Sequence, residues 1–121
     1  MATNPNQPEQ EARSQRRILL KLRAVVFVDA QQSVSGVVKD ISINGATLCL
    51  DYNLHKVKTI RLSIQFPPLV ANEKPRAIEV SGNLIYTVYD SGNIYFRSGI
   101  SFTKFIADSD QQFLQQRLSG G

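Results

Sequence analysis

Apolar residues recur at every second position through most of the chain, the period of a strand with one face against a core. Ile18, Leu20, Leu22, Ala24, Val26 and Val28 form such a face, with Lys21, Arg23 and Asp29 on the opposite side. Asp29-Ala30-Gln31-Gln32 turns the chain, and Ser33–Ile41 returns as a valine-rich second strand; Ala46, Leu48 and Leu50 mark a third. Beyond the polar connection Asp51–Lys58, Ile60, Leu62, Ile64 and Phe66 alternate with Arg61, Ser63 and Gln65 in a fourth. Pro67-Pro68 ends it, because two prolines remove two ladder donors. Ile78, Val80, Leu84, Tyr86 and Val88 predict a fifth strand, with Tyr86 on its core side and a bulge at Ser81-Gly82. Asp90-Ser91-Gly92-Asn93 is a hairpin connection to a sixth strand of Ile94, Phe96, Ser98, Ile100 and Phe102, in which Gly99 marks close packing or a bend.

Only the tail has helical spacing. Phe113, Leu114 and Leu118 share a face, Asp108 or Ser109 can cap the first turn, and Gly120-Gly121 comes after. Six strands at roughly ten-residue intervals, then one short helix, predict a mainly all-β fold: a small six-stranded antiparallel barrel with a helix laid on one side. Residues 1–12, with almost no apolar side chain after Met1, cannot bury enough surface to offset their ordering and are expected to form a flexible arm. Residues 13–121 then make one domain, with the barrel at 18–105 and the helix at about 108–118.

A chain of 121 residues can build a single core without disulfides or metal. Cys49 is the only cysteine, so no internal disulfide exists. No run has the length of a membrane span and the start lacks a signal-peptide core, so a cytoplasmic location is expected. The formal charge of +4 is modest, but Arg13, Arg16, Arg17, Lys21 and Arg23 gather five of the 14 cations into a short stretch, a local signal for an anionic partner.

Catalysis finds little support. His55 is the only histidine and lies in a polar connection, and no Ser-His-Asp or Cys-His set is evident. Cys49 alternates opposite Leu48 and Leu50, and reads as packed or edge-exposed rather than nucleophilic. One His and one Cys make a zinc site improbable, and no phosphate loop or dinucleotide glycine pattern is present. The segment Lys39-Asp40-Ile41-Ser42-Ile43-Asn44-Gly45 stands apart. Asp40 and Ser42, two apart, fall on one face of an extended strand. Gly45 permits a positive φ or close backbone approach, and Asn44-Gly45 favours a turn. Taken alone, these residues read first as a hairpin whose Asp and Ser satisfy nearby amides; they also suit a ligand. Arginines fork onto guanine O6 and N7, pair with phosphate and stack on purines, while a carboxylate accepts from the guanine N1 and N2 edge.

Arg13 and Arg17, spaced R-x-x-x-R before the first strand, and Asp40-x-Ser42-x-x-Gly45, with twenty-two residues between Arg17 and Asp40, together resemble the PilZ family of cyclic di-GMP receptors. The likeness runs from Arg13 to Phe105 and includes the glycine-containing final strand Arg97-Ser98-Gly99-Ile100-Ser101-Phe102. It implies a barrel of PilZ type with cyclic di-GMP as ligand and no cofactor or metal. Arg13 and Arg17 would then hold guanine and phosphate, with Arg16 beside them. Asp40 and Ser42 would hold base edge and phosphate, and Gly45 would shape the turn. Arg17 and Lys21 share the spacing, but Lys21 falls within the strand, which favours the Arg13/Arg17 register. Ala12 stands where many family members carry a further arginine, so one or two bound ligands are both open. The resemblance implies a non-catalytic receptor that signals to a separate downstream protein. Two other readings are a PilZ-like interaction module without nucleotide binding and, suggested by Tyr86, Tyr89, Tyr95 and the basic cluster, a small barrel for single-stranded nucleic acid.

Overall fold

The computed structural model describes residues 18–119, and Arg13, Arg16 and Arg17 lie outside them. Six strands are followed by one helix: β1 (Ile18–Asp29), β2 (Gln32–Ile41), β3 (Gly45–Leu50), β4 (Thr59–Phe66), β5 (Arg76–Asp90), β6 (Tyr95–Phe105) and α1 (Asp108–Leu118). The strands close into a barrel in the order β1-β2-β3-β6-β5-β4, every neighbouring pair antiparallel.

The alternation seen in the sequence becomes the inside of this barrel. Leu22, Ala24 and Val26 of β1, Leu48 and Leu50 of β3, and Ile60, Leu62, Ile64 and Phe66 of β4 are all buried in one core. Arg61 and Gln65, on the other face of β4, are exposed. Leu114 and Leu118 bring α1 onto the same core. Phe113 meets Phe66 edge to face, with ring centroids 5.3 Å apart, and carries the guanidinium groups of Arg76 and Arg117 over its ring.

The helix starts differently from the sequence expectation. Neither Asp108 nor Ser109 caps it: Ala107 is the N-cap residue and makes no side-chain cap bond. The first-turn carboxylate of Asp110 instead reaches β5, where it accepts hydrogen bonds from Arg76 (3.1 Å) and from the backbone N–H of Glu79 (3.0 Å). A long-range tether thus replaces the local cap, and it pins the helix across the end of the sheet.

Strand β5 departs most from simple alternation. The Ser81-Gly82 irregularity is present, but a second register shift lies between Leu84 and Tyr86. The extra residue reverses the parity of the rest of the strand. Tyr86 is therefore not in the core: it is 44% exposed, and Val88 is exposed with it. Ile94 does not begin β6 either. It closes the hairpin loop at φ 61, its N–H donating to the Asp90 carbonyl at 2.7 Å, and β6 starts at Tyr95.

The seams are unequal in length. β5 pairs with β4 only as far as Asn83, so among the described strands Ile85–Asp90 pairs with β6 alone. β1 meets β4 over Ala24–Phe27 alone, and that short pairing closes the barrel. Ile18–Arg23 has no β4 partner.

Candidate functional site

The Asp40–Gly45 segment is the end of β2, its turn and the start of β3. Val38 faces Leu48 across the two strands and Asp40 faces Thr47, so Lys39 is the extra residue of a bulge. The bulge turns Lys39 and Asp40 outward, while Ile41, paired with Ala46, returns to the core. Asp40 is half-buried and accepts a hydrogen bond from the Thr47 hydroxyl at 3.1 Å.

Ser42 is buried, at 2% exposure. Its N–H donates to the Gly45 carbonyl at 2.8 Å, and its hydroxyl accepts from the Asn44 N–H at 3.3 Å. The same hydroxyl lies 3.4 Å from the Gly45 carbonyl oxygen, a long donor contact. The serine therefore ties the turn together from inside. Gly45 needs space, not the left-handed region: a Cβ there would sit 2.4 Å from the Ile100 carbonyl oxygen of β6. Asn44-Gly45 is accordingly not a central pair of positive-φ turn residues, since Gly45 already belongs to β3 and faces Ser101.

The register of β1 brings the root of the N-terminal segment to this turn. Ile18 pairs with Ile41 and Leu19 with Asp40, so β1 begins beside the Asp40–Gly45 motif. Around the outside at the same level, Asp40, Thr47 and Gly99 stand side by side on β2, β3 and β6. Tyr86 of β5 faces Gly99, and its ring fills the space that a Cβ at Gly99 would take.

A groove of about 750 Å³ runs further along the outer face of β1, β2 and β3. Lys21, Arg23 and Lys39 line it, with Val37 and Cys49 among its apolar residues and Tyr95 at one side. The outward parity of Lys21 and Arg23 is legible in the sequence; the bulge that adds Lys39 to them is not. Cys49 is a buried free thiol, the packed alternative of the two expected. Its hydrogen bond with Tyr95, together with burial, pushes the tyrosine hydroxyl up from its ordinary value of 10.0, against the opposing pull of Lys39. His55 is an exposed residue of the β3–β4 connection. Among the described residues no group of His, Cys, Asp and Glu side chains could hold a metal ion, and no helix is long and apolar enough to cross a membrane.

Comparison with known proteins places these features in a family. The family model described as PilZ domain matches residues 11–120. Among solved structures, the Bacillus subtilis inhibitor of motility MotI/DgrA superposes with a TM-score of 0.73 at 20% identity, over 88% of this chain and 49% of that one. The PilZ domain of YcgR from Escherichia coli, solved with cyclic di-GMP, gives 0.56 at 14% identity over 88% of both chains. The K. pneumonia MrkH–cyclic di-GMP complex gives 0.55 at 19% identity, over 88% of this chain and 51% of that one. This chain thus spans about half the length of MotI/DgrA and of MrkH. No curated protein sequence matches it significantly.

Proposed function

Since the chain belongs to the PilZ domain family, we propose that it is a non-catalytic receptor for cyclic di-GMP, acting in the cytoplasm and passing the signal to a separate protein. The observation that carries this reading is the pairing of Ile18 with Ile41, which roots the arginine-bearing segment next to Asp40, Ser42 and Gly45. Arg17 is bonded directly to Ile18. At no more than about 3.6 Å per residue, Arg13 lies within about 18 Å of it. Both guanidinium groups can therefore reach the Asp40 carboxylate. In the proposed complex Arg13 and Arg17 hold guanine and phosphate, with Arg16 next to them. Asp40 accepts from the base edge, and Ser42 and Gly45 hold the turn against which the ligand rests.

The proposed signal is recruitment of the arginine segment onto the barrel, which creates a composite surface for the partner. Calorimetric titration with cyclic di-GMP, cyclic di-AMP and a single-stranded oligonucleotide, at two salt concentrations, tests the ligand. Cyclic di-GMP should bind and be strongly preferred, because adenine presents a donor where guanine presents O6. Equal affinity for the two dinucleotides would remove the guanine fork. No affinity for either would leave an interaction module, and steeply salt-dependent oligonucleotide binding would favour the nucleic-acid reading. Limited trypsin digestion tests the signal: ligand should slow cleavage at Arg13, Arg16 and Arg17, and Asp40→Ala should abolish that protection.

A further inference from the structure

We propose that the outer half of β5 is a self-association edge, and that two copies of this chain pair there as antiparallel strands about a two-fold axis. The inference does not depend on the ligand. From Ile85 to Asp90 the strand is hydrogen-bonded to β6 on one side, and no described strand occupies the other. Alternate backbone N–H and C=O groups along that side are left to water and are open to pairing with another extended chain.

The residues on this edge are unusual for an unpaired strand. Ile85, Tyr86, Thr87, Val88 and Tyr89 carry no charge and no proline, and are β-branched or aromatic throughout. Ile85 is 63% and Tyr89 55% exposed, and Tyr86 and Val88 are exposed as well. Natural edges are normally blunted by lysine, proline or a charge turned toward the gap. Another stretch without a cross-seam partner obeys that rule: Ile18–Arg23 of β1 lacks a β4 partner and carries Lys21 and Arg23, both exposed. The β5 edge carries no charge and no proline along five successive residues, and its one blunting feature is the bulge at Ile85.

Charge and shape select the occupant. Ile85–Tyr89 itself offers an acidic or basic peptide no complementary charge, Lys58 and His55 of the β3–β4 connection lying beside its first residues only, whereas the same segment of a second copy brings none to repel. Laid antiparallel on itself about Thr87, the segment sets Ile85 across from Tyr89 and Tyr86 across from Val88. These are aromatic–β-branched pairs of the kind that stabilise sheets. An isologous contact of this type closes on itself, because each chain has one such edge. The expected assembly is a dimer and not a fibre.

Sedimentation velocity of the full chain from micromolar to near-millimolar concentration tests the proposal, with and without cyclic di-GMP. Wild type should show a monomer–dimer equilibrium. Val88→Lys and Ile85→Lys, both at exposed positions, should each keep the circular dichroism of the wild type. Each should weaken the dimer by about tenfold or more, since a lysine at position 85 would lie against Tyr89 of the second copy and one at position 88 against its Tyr86, a charge buried in an apolar pair. Mixing Val88→Lys with Val88→Glu should restore association that neither shows alone. A wild type that stays monomeric throughout would overturn the proposal. So would a dimer indifferent to both lysines, or an open-ended polymer.

Discussion

The Thr47 hydroxyl donates to the Asp40 carboxylate across the β2–β3 ladder, at 3.1 Å and opposite the bulge at Lys39. This bond fixes the direction of the one motif carboxylate that faces outward. Thr47→Val removes the donor with little change of shape, so folding stability should fall by no more than about 1 kcal/mol. Cyclic di-GMP affinity should weaken measurably in Thr47→Val and more in Asp40→Ala, where the cost is about 1–3 kcal/mol. Parallel calorimetric titrations and denaturant melts check both. Equal affinities for wild type and Asp40→Ala would take Asp40 out of the site.

Two glycines separate backbone crowding from side-chain crowding. A Cβ at Gly45 would lie 2.4 Å from the Ile100 carbonyl oxygen, an atom held by the β3–β6 ladder. A Cβ at Gly99 would lie 2.3 Å from the Tyr86 ring, which is partly exposed and can swing away. Gly45→Ala should therefore cost about 2–3 kcal/mol and Gly99→Ala about 1 kcal/mol or less. Urea unfolding of the two variants gives the order, and a reversed order would mean that the Tyr86 ring is fixed.

Ile94 sits at φ 61, the only non-glycine residue with positive φ among those described, and is 73% exposed. A β-branched side chain is strained there and gains almost no burial in return. Ile94→Asn should raise stability by about 1 kcal/mol, because asparagine tolerates this region. Thermal melting measures the gain; a loss would show that the isoleucine makes a contact worth more than its strain.

Asp90 gives the same hairpin a pH dependence. Its carboxyl is held below the ordinary value of 3.8, chiefly by the Asn93 side chain, with the backbone amides of Asn93 and Gly92 and the Arg97 charge adding to this and outweighing burial. The folded state thus favours the ionised form. The stabilisation is fully present above 3.8 and is lost as the pH falls through the lower folded value. Asp90→Asn should flatten that part of the acid-stability profile, monitored by thermal melts on both proteins. An unchanged profile would show that the carboxylate is solvated equally in both states.

How much of this is legible in the sequence depends on the range of the interaction that decides each feature. The face of Ile60, Leu62, Ile64 and Phe66 is set within its own strand by period two, and all four are buried. Tyr86 leaves its expected side because the bulge before it is defined by the pairing of Leu84 and Tyr86 with Ile100 and Gly99, which local alternation does not encode. The helix start differs for a similar reason: Asp110 is engaged by Arg76 and Glu79, more than thirty residues away. Within the motif, the spacing of Asp40, Ser42 and Gly45 is plain. The inward tie of the Ser42 hydroxyl depends on the turn geometry, and the space required at Gly45 depends on β6. Even the root of the arginine segment beside the motif rests on the register of Ile18 with Ile41, which two strands fix between them.

The short β1–β4 seam gives the barrel a clasp. Over Ala24–Phe27 against Arg61–Ile64, it is the smallest pairing in the ring, and β1 is also the strand that continues directly from the arginine segment. A force or a ligand that pulls on that segment would load the strand whose far edge has the shortest ladder. Opening there would release one edge while the long β5–β6 and β1–β2 ladders stay zipped. If Arg13 and Arg17 hold the ligand as proposed, the ligand segment and the shortest ladder of the barrel belong to one strand, so occupancy of the one would be felt as tightness of the other. Amide exchange along Ala24–Phe27, monitored as cyclic di-GMP is added, would register that tightening even where the outline of the barrel does not change.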